Sequence, residues 1–344
     1  MNDKLLTIII PCFNVRNKVK PILLSLKEIV TQIESKYIEI LFIDDGSKDN
    51  SKGYIENNFK NRSNVKILRQ ENKGVSCARN RGIELAKGKF ITFIDADDNI
   101  NVSHFFELFD LLQDNKADII NAGVKVKEKY VEKSPRNIIP SILGINDKYT
   151  FGQFYPGPFS KFYKAEFLRK NLLRFPIGLD NGEDMQFNID CLIRANSVYF
   201  YPISFYLYRV GQLQSLTSKR GNNSFFKGTK LKRKYLNYLL RKHIINNAEF
   251  HFAVVDVVLS RFILFYGFSD ENIYFMDEIK DIEELKRLVP ELIKNSYIKN
   301  FKTTKQILLF ILIYIPRPFS MKIVEKLAFL KNKYNKRKVK WIEI

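Results

Sequence analysis

Residues 90–98 read FITFIDADD, an apolar, strand-like run that closes on Asp95, Asp97 and Asp98. Like charges this close repel, and only a cation or a raised pKa relieves the cost. Residues two apart on a strand share a face, so Asp95 and Asp97 are expected to point together into one cleft. One or two carboxylates combined with substrate phosphates suit Mg²⁺ or Mn²⁺. The plainer reading is a solvated turn capping a helix that starts near Ser103, and Asp98 fits a turn or cap better than a ligand.

Working outward, the first hundred residues alternate between two patterns. Short apolar runs at Leu6–Phe13, Ile38–Ile43, Val65–Leu68 and Phe90–Ile94 read as strands, and Val19–Ser35 and Ser76–Ala86 read as amphipathic helices. Continuous apolar strands separated by helices predict an α/β fold, a mainly parallel sheet flanked by helices. In such sheets ligands bind beyond the carboxyl ends of the strands. Three strand ends carry polar chemistry here: PCFN after the first, DDGS after the second and DADD after the fourth. Asp44 and Asp45 with Gly46 also make an ordinary turn, and Gly74 opening a helix with Arg79, Asn80 and Arg81 offers backbone N–H groups to an anion.

The length of 344 residues suits one large α/β domain with an appendage, or two domains. The net charge of +20 points to an anionic partner without choosing between nucleic acid, membrane and a phosphorylated substrate. Cys12, Cys77 and Cys191 are far apart and form no C-x-x-C pair, which fits a reducing compartment and argues against structural zinc. MNDKLLTIIIPCFN lacks the basic and long apolar regions of a signal peptide. The apolar run 307–315, ILLFILIYI, is well short of the ~18–20 residues of a spanning helix. Residues 125–160 look irregular, as a variable insertion or lid would, and from about Phe225 the pattern turns helical and basic.

Taken in order, TIIIPCFN, FIDDGS, NKGVSCARNRGIELAKG and FITFIDADD resemble the family 2 glycosyltransferases of the GT-A fold. FLRKNLLRFPIGLDNGEDMQFNIDCLIRA and FYLYRVGQLQSLT resemble the acceptor half of the same family, so the resemblance covers roughly 5–220. It implies a catalytic domain at 1–220, with a nucleotide-sugar half (1–100) and an acceptor half (101–220), followed by a helical, basic region at 221–344. It further implies an inverting, metal-dependent hexosyl- or N-acetylhexosaminyltransferase that uses a UDP-sugar. The acceptor would be a glycan or lipid-linked glycan of the bacterial cell surface.

Carried onto this sequence, Pro11, Phe13 and Asn14 match the first nucleotide-binding turn, and Asp44 matches the acid that contacts uracil. Lys73, Gly74, Arg79 and Asn80 match the lining of the nucleotide pocket. Asp95 and Asp97 match the D-x-D pair, with Asp97 as the direct ligand of Mn²⁺ or Mg²⁺. Asp184 matches the general base, and Glu183 a contact to acceptor or donor sugar; the same GED also reads as a cap of the following helix. Some relatives carry a metal-ligating histidine after the acceptor half, whereas YRVGQLQSLT has none and His104, His243 and His251 lie elsewhere.

The basic stretch KNKYNKRKVK after an apolar run reads either as an interfacial element on an anionic membrane or as a solvated tail. The first reading places the chain in the cytoplasm, peripheral on the inner face of the plasma membrane. Two other functions compete with this one. A nucleic-acid-binding protein would use the basic last third, with Tyr235, Tyr238 and Phe262 as stacking surfaces, but leaves the carboxylates unexplained. A nucleotidyltransferase on a similar sheet would want a glycine-rich basic loop where this chain has PCFNV. No nucleic-acid partner is expected, and the oligomeric state is open.

Overall fold

The computed structural model describes residues 4–123, 126–145, 154–179, 182–210 and 223–265, together with 283, 285–290, 292–293, 306, 312 and 340–343. Strands are β1 Lys4–Cys12, β2 Ile38–Asp44, β3 Val65–Arg69, β4 Gly88–Phe93, β5 Asn99–Ile100, β6 Ile119–Ala122, β7 Tyr130–Glu132, β8 Lys161–Lys164, β9 Val198–Tyr201, β10 Tyr206–Val210 and β11 Lys340–Glu343. Helices are α1 Lys20–Gln32, α2 Ser51–Asn58, α3 Val75–Leu85, α4 Val102–Leu111, α5 Ile139–Ile142, α6 Ala165–Lys170, α7 Glu183–Arg194, α8 Asn223–Arg241 and α9 Asn247–Phe265.

The large sheet runs β3-β2-β1-β4-β8-β6-β9-β7. Strands β1 to β4 are mutually parallel, and the other half is mixed, with β8 antiparallel to both β4 and β6. The pleat sends alternate residues to opposite faces. Ile8 and Ile10 join Ile40, Phe42 and Phe90 beneath α1 and α4, while Ile9 joins Leu41, Ile43, Ile91 and Phe93 on the other face. Tyr235, Leu236 and Leu239 of α8 and Phe252 and Val255 of α9 belong to that second cluster, so both helices pack onto the α/β core. Each large apolar side chain fully buried in this way stabilises by roughly 1.5–3 kcal/mol.

Helix α3 lies unusually close to the sheet. A Cβ on Gly82 would sit 2.4 Å from Ile9 Cγ2, so only glycine permits this approach. Through this contact α3 packs on β1, with β2 beside it.

Two sequence expectations change. Strand β4 ends at Phe93, so Asp95–Asp98 form a turn and strand alternation does not orient Asp95 and Asp97. Residues 126–145, expected within an insertion or lid, include β7 and α5, and β7 pairs with β9 at the sheet edge. Tyr130 stacks on Phe200 there at 4.6 Å, a contact between segments too far apart in sequence for a three-residue strand to announce itself. Most of the basic tail, including 331–339, lies outside the described residues, as does 211–217 of the acceptor-half motif. Among the described residues, no helix is long and apolar enough to cross a membrane.

Lys161, at the start of β8, is completely buried. Its ammonium donates to the carbonyls of Tyr155 (2.6 Å), Gly157 (2.9 Å) and Phe159 (3.2 Å) and lies 4.4 Å from the centre of the Phe154 ring. Burial pulls its pKa down to about 7, with Asp184 acting in the opposite direction. Three acceptors match the three donors of an ammonium, so one side chain shapes the aromatic segment YPGPF. Lys161→Met strands those carbonyls and is expected to lower stability by at least about 2 kcal/mol in urea denaturation; unchanged stability would contradict the assignment.

Candidate functional site

The carboxyl ends of β1, β2 and β4 lie side by side, with Cys12 opposite Asp44 and Asp44 opposite Arg69. Just past β1, Phe13 is exposed and Asn14 takes a left-handed conformation (φ 51°). Asn14 donates its N–H to Ser47 Oγ, and its Oδ1 accepts from Lys48 N at 2.8 Å. Pro11 sits inside β1, opposite Ile43. Asp44 is buried, with Oδ1 accepting from Ser47 N and Oδ2 3.6 Å from Arg69 Nε.

Asp45, which sequence reasoning treated only as part of a turn, organises the next segment. Its carboxylate accepts from Gln70 Nε2 (2.8 Å), Lys73 N (2.9 Å) and Gly74 N (2.8 Å). The N–H groups of Lys73 and Gly74, just ahead of α3, are therefore filled by the chain's own carboxylate. The Lys73 side chain remains exposed, 3.8 Å from Glu71. Asn80 also faces inward: its amide donates to the Phe175 carbonyl (2.9 Å) and accepts the Phe175 N–H (2.8 Å).

The centre of the site is Arg79, which is 2% exposed. Its Nη2 donates to Asp95 Oδ1 at 2.9 Å, and its Nη1 donates to Asp184 Oδ1 at 2.5 Å with Glu183 Oε1 at 3.8 Å. Burial opposes its charge, yet Asp184, Asp95 and Glu183 outweigh burial and raise its pKa. Glu183 and Asp184 open α7 and have no side-chain cap before them, so the positive end of the helix dipole faces their carboxylates. Burial still pushes Asp184 up to about 7, against the pull of Arg79, and raises Glu183 for the same reason.

The structure brings Asp95, Arg79, Glu183 and Asp184 into direct proximity, with Asp97 half-buried on the same turn. Asp98 closes the turn, one of the two roles expected of it, and does not cap the helix. Asn101, not Asp98, caps α4, its Oδ1 accepting the His104 N–H. Asp98 is buried against Tyr206 and Arg209, and burial, reinforced by Asp95, pushes its carboxyl to about 8. His104 lies on α4 with Nδ1 2.8 Å from the Ser204 carbonyl oxygen.

Residues 7–173 match the family described as "Glycosyl transferase family 2". The chain carries a family 2 glycosyltransferase domain. It is 28% identical over 218 residues to the uncharacterized glycosyltransferase EpsJ of Bacillus subtilis, covering 60% of this chain and 61% of that one. It is 30% identical over 224 residues to the glycosyltransferase GlyA of Streptococcus pneumoniae, covering 60% and 31% respectively. The match thus spans less than two thirds of the length of these curated relatives. The crystal structure of Staphylococcus aureus TarS 1–349 in complex with UDP-GlcNAc aligns with a TM-score of 0.60 at 17% identity, over 96% of this chain and 92% of that one. That likeness extends the fold agreement beyond the family 2 domain and supports the expected GT-A architecture.

Proposed function

We propose that the chain is an inverting glycosyltransferase that moves a hexosyl or N-acetylhexosaminyl group from a UDP-sugar to a glycan or lipid-linked glycan hydroxyl. Its setting would be bacterial surface-polysaccharide assembly. The carrying observation is the Asp95–Arg79–Asp184 bracket, which sets a donor-side carboxylate and the carboxylate of a helix start one guanidinium apart. TarS supports the donor class, since its solved structure holds UDP-GlcNAc.

In this reading Pro11, Phe13, Asn14 and Asp44 border the uridine, and Lys73, Gly74 and Asn80 shape or hold the wall beside it. The donor set fits Mn²⁺ or Mg²⁺ only if substrate completes the coordination. Among the described residues, no group of three His, Cys, Asp or Glu side chains gathers as a metal cage. Asp97, with Asp95 beside it, would hold the ion, leaving the remaining positions to diphosphate oxygens and water. When bound, the ion supplies Lewis-acid neutralisation of the departing diphosphate.

The other roles belong to the chain's own groups. Asp184 presents Oδ1 to Arg79, so Oδ2 is the oxygen that receives the acceptor's proton as its hydroxyl attacks the anomeric carbon. Attack from the face opposite the leaving UDP inverts configuration, giving a β linkage from an α-linked donor. A carboxyl near 7 is well matched to this task, because it is a stronger base than an ordinary aspartate yet remains largely ionised just above neutrality. Glu183 stands beside it, within reach of a sugar hydroxyl.

The mechanism is tested by Asp184→Asn, expected to retain UDP binding by calorimetry and to lose sugar transfer by at least about 100-fold. Retained turnover would remove Asp184 from the chemistry. The pH profile follows from the sign of the shift. Protonated Asp184 is inactive as a base, so kcat/KM should fall as pH drops through about 7. Arg79 favours the ionised form, so Arg79→Met should move that acid limb upward by roughly 1–3 pH units; an unmoved limb would exclude Asp184 as the titrating group. For the basic tail, salt-sensitive co-sedimentation with anionic liposomes is expected, and its absence at low salt would reject a peripheral membrane location.

A further inference from the structure

The Asp95–Asp98 turn is held from behind by a second, smaller sheet. Strand β5 follows the turn directly and pairs with β10, whose other edge pairs with β11. From β10, the Tyr206 hydroxyl donates to Asp98 Oδ2 at 2.5 Å and accepts the Asp95 N–H at 3.2 Å. Asp98 Oδ1 accepts the Arg209 N–H at 2.8 Å. Tyr206 and Asp98 are both buried, and Phe159 packs on the tyrosine ring at 4.8 Å. One phenol oxygen therefore grips the turn at both ends, through the backbone of Asp95 and the side chain of Asp98.

We propose that Tyr206 and Asp98 are positioning residues for the metal and diphosphate seat: their hydrogen-bonded pair fixes the turn backbone and thereby aims the Asp95 and Asp97 carboxylates. The inference rests on the reading of Asp97 and Asp95 as the seat of metal and diphosphate, and adds what holds them there. Asp95 and Asp97 lie on a turn rather than a strand, so no sheet ladder sets their direction. Mutating residues that orient a metal ligand from behind typically costs about 10–100-fold in metal affinity. Tyr206→Phe removes one oxygen, leaving Asp98 Oδ2 without its donor and the Asp95 N–H without its acceptor.

The test is UDP binding measured by calorimetry across a Mn²⁺ series and in EDTA, for wild type, Tyr206→Phe, Asp98→Asn and Asp97→Ala. Tyr206→Phe is expected to raise the Mn²⁺ concentration for half-maximal UDP binding about tenfold while leaving UDP affinity in EDTA unchanged. A structural role alone would lower the melting temperature and leave that metal requirement where it was. Asp98→Asn keeps an acceptor for the Arg209 N–H, should shift the requirement in the same direction, and carries the test if Tyr206→Phe does not fold. A wild type that depends on Mn²⁺ and on Asp97, with both other variants retaining the wild-type requirement, overturns this inference alone. A wild type whose UDP binding ignores both Mn²⁺ and Asp97→Ala overturns the reading of the seat, and the inference with it.

Discussion

The ion pairs of Arg79 join parts of the chain that sequence keeps more than a hundred residues apart, and much of the site's geometry follows from how that guanidinium is held. Gly82, three residues on, lets α3 sit against Ile9 and so sets the height of Arg79 above the sheet. Asn80, its neighbour, clamps the backbone of Phe175. Phe175 in turn stacks on Phe187 of α7 at 3.9 Å, which places the start of that helix, with Glu183 and Asp184, over the arginine. Backbone approach, side-chain clamp and ring stack thus converge on one buried cation.

Electrostatics explains why this arrangement is poised rather than merely stable. Asp95, Glu183 and Asp184 crowd around a single guanidinium, and Asp97 and Asp98 share the turn of Asp95. Two unit charges 4 Å apart interact by about 4 kcal/mol at an effective dielectric near 20, so such a cluster cannot ionise fully without help. Asp98 and Asp184 respond with pKa values of about 8 and about 7, burial being the largest cause in each. The two shifts have different surroundings: Asp184 keeps a cation in contact, whereas Asp98 is held by a phenol and a backbone N–H.

The parallel half of the fold was legible because its strands are buried on both faces and read as unbroken apolar runs. β1 and β2 begin and end within two residues of the expected bounds. The chemistry at the strand ends was legible too, since turn residues follow apolar runs without ambiguity. What escaped was every interaction made by a polar side chain turned inward. Asp45 looked equivalent to Asp44, yet one fastens the 70–74 segment and the other lies at the sheet end. Lys161 lies in an irregular aromatic stretch that gives no sign of its role, yet it is wholly buried and donates to three carbonyls. Tyr206 sits within FYLYRVGQLQSLT, where nothing local distinguishes its hydroxyl from that of Tyr208. Such roles depend on partners supplied by distant segments, and no local period encodes them.

The excess of basic residues over the whole chain has little bearing on the cleft. The +20 net charge is screened beyond about 8–10 Å in physiological salt, whereas carboxylates in contact with a substrate are not. A nucleoside diphosphate approaching the Asp95–Asp98 turn alone would meet a local surplus of negative charge with Arg79 already engaged. Brought together with a divalent cation, the same diphosphate would relieve that surplus instead of adding to it. In the proposed reading the acidity of the cleft is therefore selective: it disfavours free anions and favours the metal-bound form, whose leaving group is neutralised where the glycosidic bond must break.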